Sequence, residues 1–173
     1  MSETNNTIVA CSTPLGYGAI SVIRLSGAKA IEIAEKMSQV DFSNKNLLVG
    51  GIYLDLGFSE KCVFTAFREP KSYTGENTVE IACHGNPLIV EKIIEKSCEL
   101  GCDVAEPGEF TKRAYLNGKL GIAESEAVIQ VITSKSELSL IASQKSLNFG
   151  LKDQIEPLQK KLRNLRVKIE ALI

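Results

Sequence analysis

Four residues of this 173-residue chain have the type and setting to hold a small polar ligand. Arg24 stands in "AISVIRL" (19–25), where strand alternation puts it on the face of Ile20 and Val22, just before Ser26 opens a helical pattern. An arginine facing inward wants an anion. Either a ligand carboxylate near that helix N-terminus or a neighbouring glutamate can supply it. Glu80 stands mid-strand in "TVEIACH" (78–84), on the face that carries Thr78 and His84. If that face is wet, nothing more follows. If it is enclosed, the carboxylate can accept paired N–H donors from a heterocycle such as a pterin or guanine ring. Tyr73, on the loop before this strand, can stack on such a ring or simply pack. Lys119 follows the turn signal "NG" and projects from a loop between two helices. Nearby, Glu109 suits a helix N-terminus, and Lys112, Arg113 and Lys119 read by spacing as charges on a solvated helix face.

Other chemistries lack their residues. The only histidine, His84, is close in sequence to Cys83 alone, so a zinc site is not expected. Five scattered cysteines (Cys11, Cys62, Cys83, Cys98, Cys102) make no CxxC and no disulfide framework, and they read as small buried apolar residues. "GYGAIS" precedes a strand and lacks the third glycine of a dinucleotide fingerprint, and no GxxxxGK[ST] phosphate loop occurs. No catalytic residue can be assigned. Lys160, Lys161, Arg163, Arg166 and Lys168 could touch RNA phosphates, but a solvated helix flank accounts for them too.

The elements that must position Arg24 and Glu80 follow from hydrophobic periodicity. "TIVAC" (7–11) and "AISVIRL" read as strands around a Gly/Pro loop, with Ser26 as N-cap of a helix carrying Ala30, Ile31, Ala34 and Met37. "LLVGGIYL" (47–54) and "KCVFTAF" (61–67) read as a hairpin, and "REPKSYTGEN" (68–77) as a loop. Asn86 and Pro87 open a helix that ends at Gly101, before a short strand at "CDVA". From Phe110 onward the pattern is helical. Leu151, Ile155, Leu158, Leu162, Leu165, Ile169 and Leu172 form a heptad seam, kinked or begun at Pro157, whose partner helices are expected in further sequence or in another chain. The fold class is α+β, a mixed sheet with packed helices, followed by an all-helical segment.

With 20 Lys+Arg against 21 Asp+Glu there is no overall basic field for nucleic acid. No apolar run is long enough for a membrane span and "MSETNN" does not look like a signal peptide, so a cytoplasmic protein with no membrane partner is expected.

Three stretches in order, "TIVACSTPLGYGAISVIRLSG", "SYTGENTVEIACHGNP" and "EPGEFTKRAYLNGKLGIAESEA", resemble the N-terminal part of the MnmE (TrmE) family of tRNA modification GTPases. The resemblance implies a tetrahydrofolate-binding and dimerisation domain over residues 1–118, similar to the folate-binding domains of aminomethyltransferases. Residues 119–173 would be the N-terminal part of a helical domain, with the GTPase domain and the C-terminal part absent. It implies 5-formyltetrahydrofolate as ligand, with Arg24, Glu80 and Lys119 at the family's folate-contacting positions, to which the reading above adds Tyr73. GTP, Mg and K would belong only to the missing GTPase domain, so this chain alone is expected to hydrolyse no GTP. The implied partners are a second copy, the flavoprotein MnmG, and tRNA, whose wobble uridine receives an aminomethyl-type group at C5. The chain departs from the family at Asn86, where a second glycine is usual, at Gly121-Ile122 and at Gln130-Val131. Two rival readings are a stand-alone folate-dependent one-carbon transferase and a dimerisation scaffold without ligand.

Overall fold

The computed structural model describes residues 6–55, 57–148 and 151–170. Along the chain come β1 (Thr7–Cys11), β2 (Gly18–Ser26), α1 (Ala30–Ser38), β3 (Leu47–Leu54), β4 (Phe58–Phe67), β5 (Thr78–Gly85) and α2 (Pro87–Glu99). Then follow β6 (Cys102–Val104), α3 (Glu109–Leu116), α4 (Ile122–Thr133), α5 (Glu137–Asn148) and α6 (Leu151–Glu170). The chain divides into two compact units, residues up to Lys119 and residues from Leu120.

The first unit is α+β. Its strands form one mixed sheet in the order β3-β4-β5-β2-β1-β6, antiparallel throughout except for the parallel β1–β6 pair. Alternation decides which side chains meet the helices. Val9, Ile23, Leu25, Ile52, Phe64, Val79 and Ile81 are fully buried and make one core with Ile33, Ala34 and Met37 of α1 and Val90 and Ile93 of α2. The opposite face stays open over much of its width. Register places Val49, Val63, Ala82 and Val22 in one row across four strands, and Leu47, Thr65, Glu80, Arg24 and Ala10 in the next.

Local chemistry sets the ends of the elements. The Asn86 side chain accepts from the Leu88 amide at 3.0 Å with Pro87 in the first turn, so Asn86 works as the N-cap of α2. Gly101, at φ 103°, lies just beyond that helix. Ser26 does not cap α1. It is the last residue of β2, fully buried, and its hydroxyl meets Thr74 Oγ1 at 2.7 Å and donates to Glu76 Oε2 at 2.7 Å. The N-cap position belongs to Lys29, which has no side-chain cap bond, and Thr7 Oγ1 accepts the Lys29 amide instead.

In the second unit α4 packs against α5, with Ala127 and Ser143 buried. Helix α6 begins at Leu151 and runs through Pro157 rather than starting there. Ile155, Leu158, Leu162, Leu165 and Ile169 of the seam are exposed, while the side chains of Leu151 and Leu172 lie outside the described residues. Among the described residues no helix is long and apolar enough to cross a membrane.

Candidate functional site

Strands β2 and β5 are neighbours, and their register sets Arg24 opposite Glu80 on the open face. The pairing is one-sided. Arg24 Nε donates to Glu80 Oε1 at 3.0 Å, and Nη2 donates to the same oxygen at 2.7 Å. Among the described residues, Glu80 Oε2 accepts no hydrogen bond and Arg24 Nη1 donates none. The two side chains are 21% and 30% exposed, so their free atoms are reachable from solvent. The sequence left open whether Arg24 pairs with a glutamate or holds an anion. The glutamate is Glu80, and the pair still offers one acceptor and one donor.

Two rings enclose the guanidinium. Its carbon lies 5.2 Å from the centre of the Tyr73 ring and 5.5 Å from that of Phe110, within cation–π range of both. Tyr73 comes from the loop between β4 and β5, and Phe110 from the first turn of α3. The two supports are joined, because the Tyr73 hydroxyl meets Thr111 Oγ1 at 2.9 Å.

Helix α3 is anchored by Arg113. Spacing assigned this residue to a solvated face, yet its side chain is only 3% exposed. Its guanidinium donates to Glu109 Oε1 at 2.9 Å, to the Asn6 carbonyl at 2.8 Å and to both Glu76 oxygens at 3.3 Å. An i,i+4 Glu–Arg pair looks the same in sequence whether it is wet or buried. What buries this one is Glu76, contributed by a loop 37 residues away. Burial itself raises the Glu109 pKa, but the Glu106 amide, the Arg113 hydrogen bond and the Arg113 charge outweigh it, and the carboxyl titrates below its ordinary value.

Lys119 is exposed and donates from Nζ to the Pro70 carbonyl at 3.0 Å. Its stem crosses Gly75, where a Cβ would stand 3.2 Å from Lys119 Cγ and 3.1 Å from Asn117 Cβ, in a backbone at φ +82°. Asn117 Nδ2 donates to the Thr74 carbonyl at 2.8 Å. The loop that carries Tyr73 therefore also holds Lys119. The structure brings Arg24, Glu80 and Tyr73 into one cluster and adds Phe110, while Lys119 touches the loop and, among the described residues, makes no hydrogen bond or ion pair with Arg24 or Glu80.

A second polar pair lies one end along β5. The buried Glu60 Oε1 takes the His84 amide at 2.8 Å and His84 Nδ1 at 2.7 Å, while the imidazole is 71% exposed. Along the strand it is about 13 Å from Glu80. All five cysteines are free, and burial pushes the Cys62 and Cys102 thiols up to about 12 and Cys83 up to about 11. Among the described residues no group of three or more His, Cys, Asp or Glu could hold a metal ion.

The family model described as "GTP-binding protein TrmE N-terminus" matches residues 7–119, the whole of the region that carries Arg24, Tyr73, Glu80, Phe110 and Lys119. The chain belongs to the TrmE (MnmE) family. It is 41% identical over 170 residues to the tRNA modification GTPase MnmE of Francisella tularensis subsp. holarctica strain OSU18, covering 98% of this chain and 38% of that protein. It is 42% identical over 168 residues to the tRNA modification GTPase MnmE of Thermotoga petrophila, covering 96% of this chain and 37% of that one. The corresponding protein of Fervidobacterium nodosum is 42% identical over 175 residues, with 97% and 38% covered. The chain thus spans less than two fifths of the length of these MnmE relatives.

Proposed function

We propose that residues 1–118 bind a reduced one-carbon folate, 5-formyltetrahydrofolate, at the Arg24–Glu80 pair, and that residues 119–173 open the helical domain of a tRNA modification GTPase. The observation that carries this reading is the half-used ion pair beside two aromatic rings. Glu80 Oε2 suits an N–H of the pterin's amino-pyrimidine edge, Arg24 Nη1 suits a ring or formyl oxygen, and Tyr73 offers a face to stack on. Lys119, with its charge in solvent, suits the glutamate carboxylates. The bound folate would supply the one-carbon unit, and the residues of this chain bind and orient it.

In the longer protein this part would serve modification of the wobble uridine at C5 in tRNA, together with the flavoprotein MnmG, in the cytoplasm. GTP, Mg and K would be held by a GTPase domain outside this chain. We also propose a homodimer formed through the first unit. The apolar row Val49, Val63, Ala82 and Val22, flanked by the exposed Leu47 and Ile20, supports it, since a contiguous apolar patch left in water is a common mark of a protein interface.

Calorimetric titration of 5-formyltetrahydrofolate into the purified chain tests the ligand. Saturable binding with one site per chain is expected, and no heat at any concentration would remove folate from the reading. Light scattering across micromolar concentrations tests the dimer. A dimeric mass is expected, with a monomer in Val63→Lys, and a monomeric mass in the unsubstituted chain would contradict it.

A further inference from the structure

Phe110 has no polar atom, and its place beside Arg24 was not visible in the sequence. An arginine on a sheet face open to water has many rotamers, and a bond to a part-exposed carboxylate holds it weakly. Here both Nε and Nη2 converge on one oxygen of Glu80, which is what leaves the other oxygen and Nη1 unused. Something besides the carboxylate must fix the guanidinium. The rings of Tyr73 and Phe110 lie against it, on two supports that the Tyr73–Thr111 bond ties together. Phe110 is held by α3, which Arg113 ties to Glu76 and to the Asn6 carbonyl, and Tyr73 is held by its bond to Thr111.

We propose that Phe110 is a positioning residue of the ligand site: its ring holds the Arg24 guanidinium in the one-sided pairing that keeps Glu80 Oε2 and Arg24 Nη1 available to a ligand. The chemical class of that ligand follows. Arg24 and Glu80 neutralise each other, so the pair presents an acceptor and a donor without net charge. Such a pair selects a neutral heterocycle edge carrying an N–H near a C=O, and it gives little to a free anion such as phosphate. The inference rests on reading Arg24–Glu80 as the binding site.

Two measurements on the whole chain test it. The first needs no ligand. In ¹⁵N-labelled protein the Arg24 Nε–H signal is expected to be displaced by the ring currents and slow to exchange with water. Phe110→Leu, which keeps apolar bulk but removes the ring, should return the signal toward that of a free arginine and speed its exchange, and Phe110→Tyr should not. The second is affinity for 5-formyltetrahydrofolate. Phe110→Leu should weaken binding by about three- to tenfold, in line with loss of a part-exposed cation–π contact. Phe110→Tyr should stay within about twofold. In an Arg24→Lys background Phe110→Leu should add nothing further. An unchanged Arg24 Nε–H signal in folded Phe110→Leu would overturn the proposal. So would an undiminished effect of Phe110→Leu in the Arg24→Lys background, because the ring would then be touching the ligand itself. Should Phe110→Leu not fold, Phe110→Met carries the same comparisons. If the unsubstituted chain binds no folate, the folate reading falls, and the ligand-free signal still decides the role of Phe110.

Discussion

Substituting Glu80 by Gln separates a ligand site from a solvent-facing strand residue. The change keeps the shape of the side chain and replaces one carboxylate oxygen by an NH₂ group. Arg24 directs two donors at Oε1, at 3.0 and 2.7 Å, so the amide oxygen of Gln must take that position and the NH₂ must replace Oε2. The atom facing the ligand then changes from acceptor to donor. A hydrogen bond to a charged group is worth about 1.5–3 kcal/mol, so folate affinity should fall by roughly 10- to 150-fold. Stability should change far less. With side chains 21% and 30% exposed, the pair resembles a surface ion pair, and weakening it should cost less than about 1 kcal/mol. Titration of 5-formyltetrahydrofolate into both proteins, with folding checked by circular dichroism, reads the two quantities apart. Equal affinities in two folded proteins would refute the reasoning, because the solvent-facing alternative predicts no effect on ligand.

Three further outcomes are expected. Arg113→Met, which keeps the stem but strips the charge from between Glu76 and Glu109, should destabilise the first unit by about 2–3 kcal/mol, discounted from a fully buried pair because both carboxylates reach solvent; a fall in melting temperature on the order of 10 °C would show it, and an unchanged value would return Arg113 to the solvated face. Gly75→Ala should cost about 1–2 kcal/mol in urea unfolding, since φ is +82° and the added Cβ crowds Asn117 and Lys119; wild-type stability would contradict the close crossing of Lys119 over the loop. The thiols of Cys62, Cys83 and Cys102, raised from 9.0 by burial, should have a thiolate fraction at pH 8 of roughly one part in a thousand to ten thousand, against about a tenth for an ordinary thiol, and should resist alkylation until the protein unfolds. The same shift has a sign in stability. Below about pH 9 these thiols are neutral in both states, while above it the unfolded chain ionises first, so stability should fall as pH rises from 9 toward 12, with a shallower fall in Cys62→Ala.

Much of this was legible in the sequence where one local period governs. Alternation grouped Arg24 with Ile20 and Val22, and Glu80 with Thr78 and His84, and both groupings hold, but the expectation that Arg24 faces inward does not: the core takes Ser21, Ile23 and Leu25, and Arg24 lies on the open face. Alternation could not make Arg24 and Glu80 partners, because the β2–β5 register joins residues 56 apart and no local signal encodes it. Asn86 read correctly as a cap because capping is decided within three residues. Ser26 read wrongly, because β2 runs one residue longer and Thr74 and Glu76 recruit its hydroxyl from a distant loop. Phe110 was hidden for a similar reason. Only the docking of α3 against the loop carrying Tyr73 brings its ring to Arg24. The hairpin pattern starts its second strand at Lys61, whereas β4 begins at Phe58 and includes the buried Glu60, whose bonds to His84 depend on the approach of β5.

The proposed occupation of the Arg24–Glu80 site by a reduced folate has a residue-level consequence. The most direct measurement is a ¹H–¹⁵N titration of the labelled chain with 5-formyltetrahydrofolate, following the Arg24 Nε–H signal and the amides of residues 73–80 and 109–111. Saturable shifts concentrated at these positions are expected, with Arg24 Nε–H among the largest. Saturable shifts that cluster elsewhere and leave Arg24 Nε–H unmoved would contradict it.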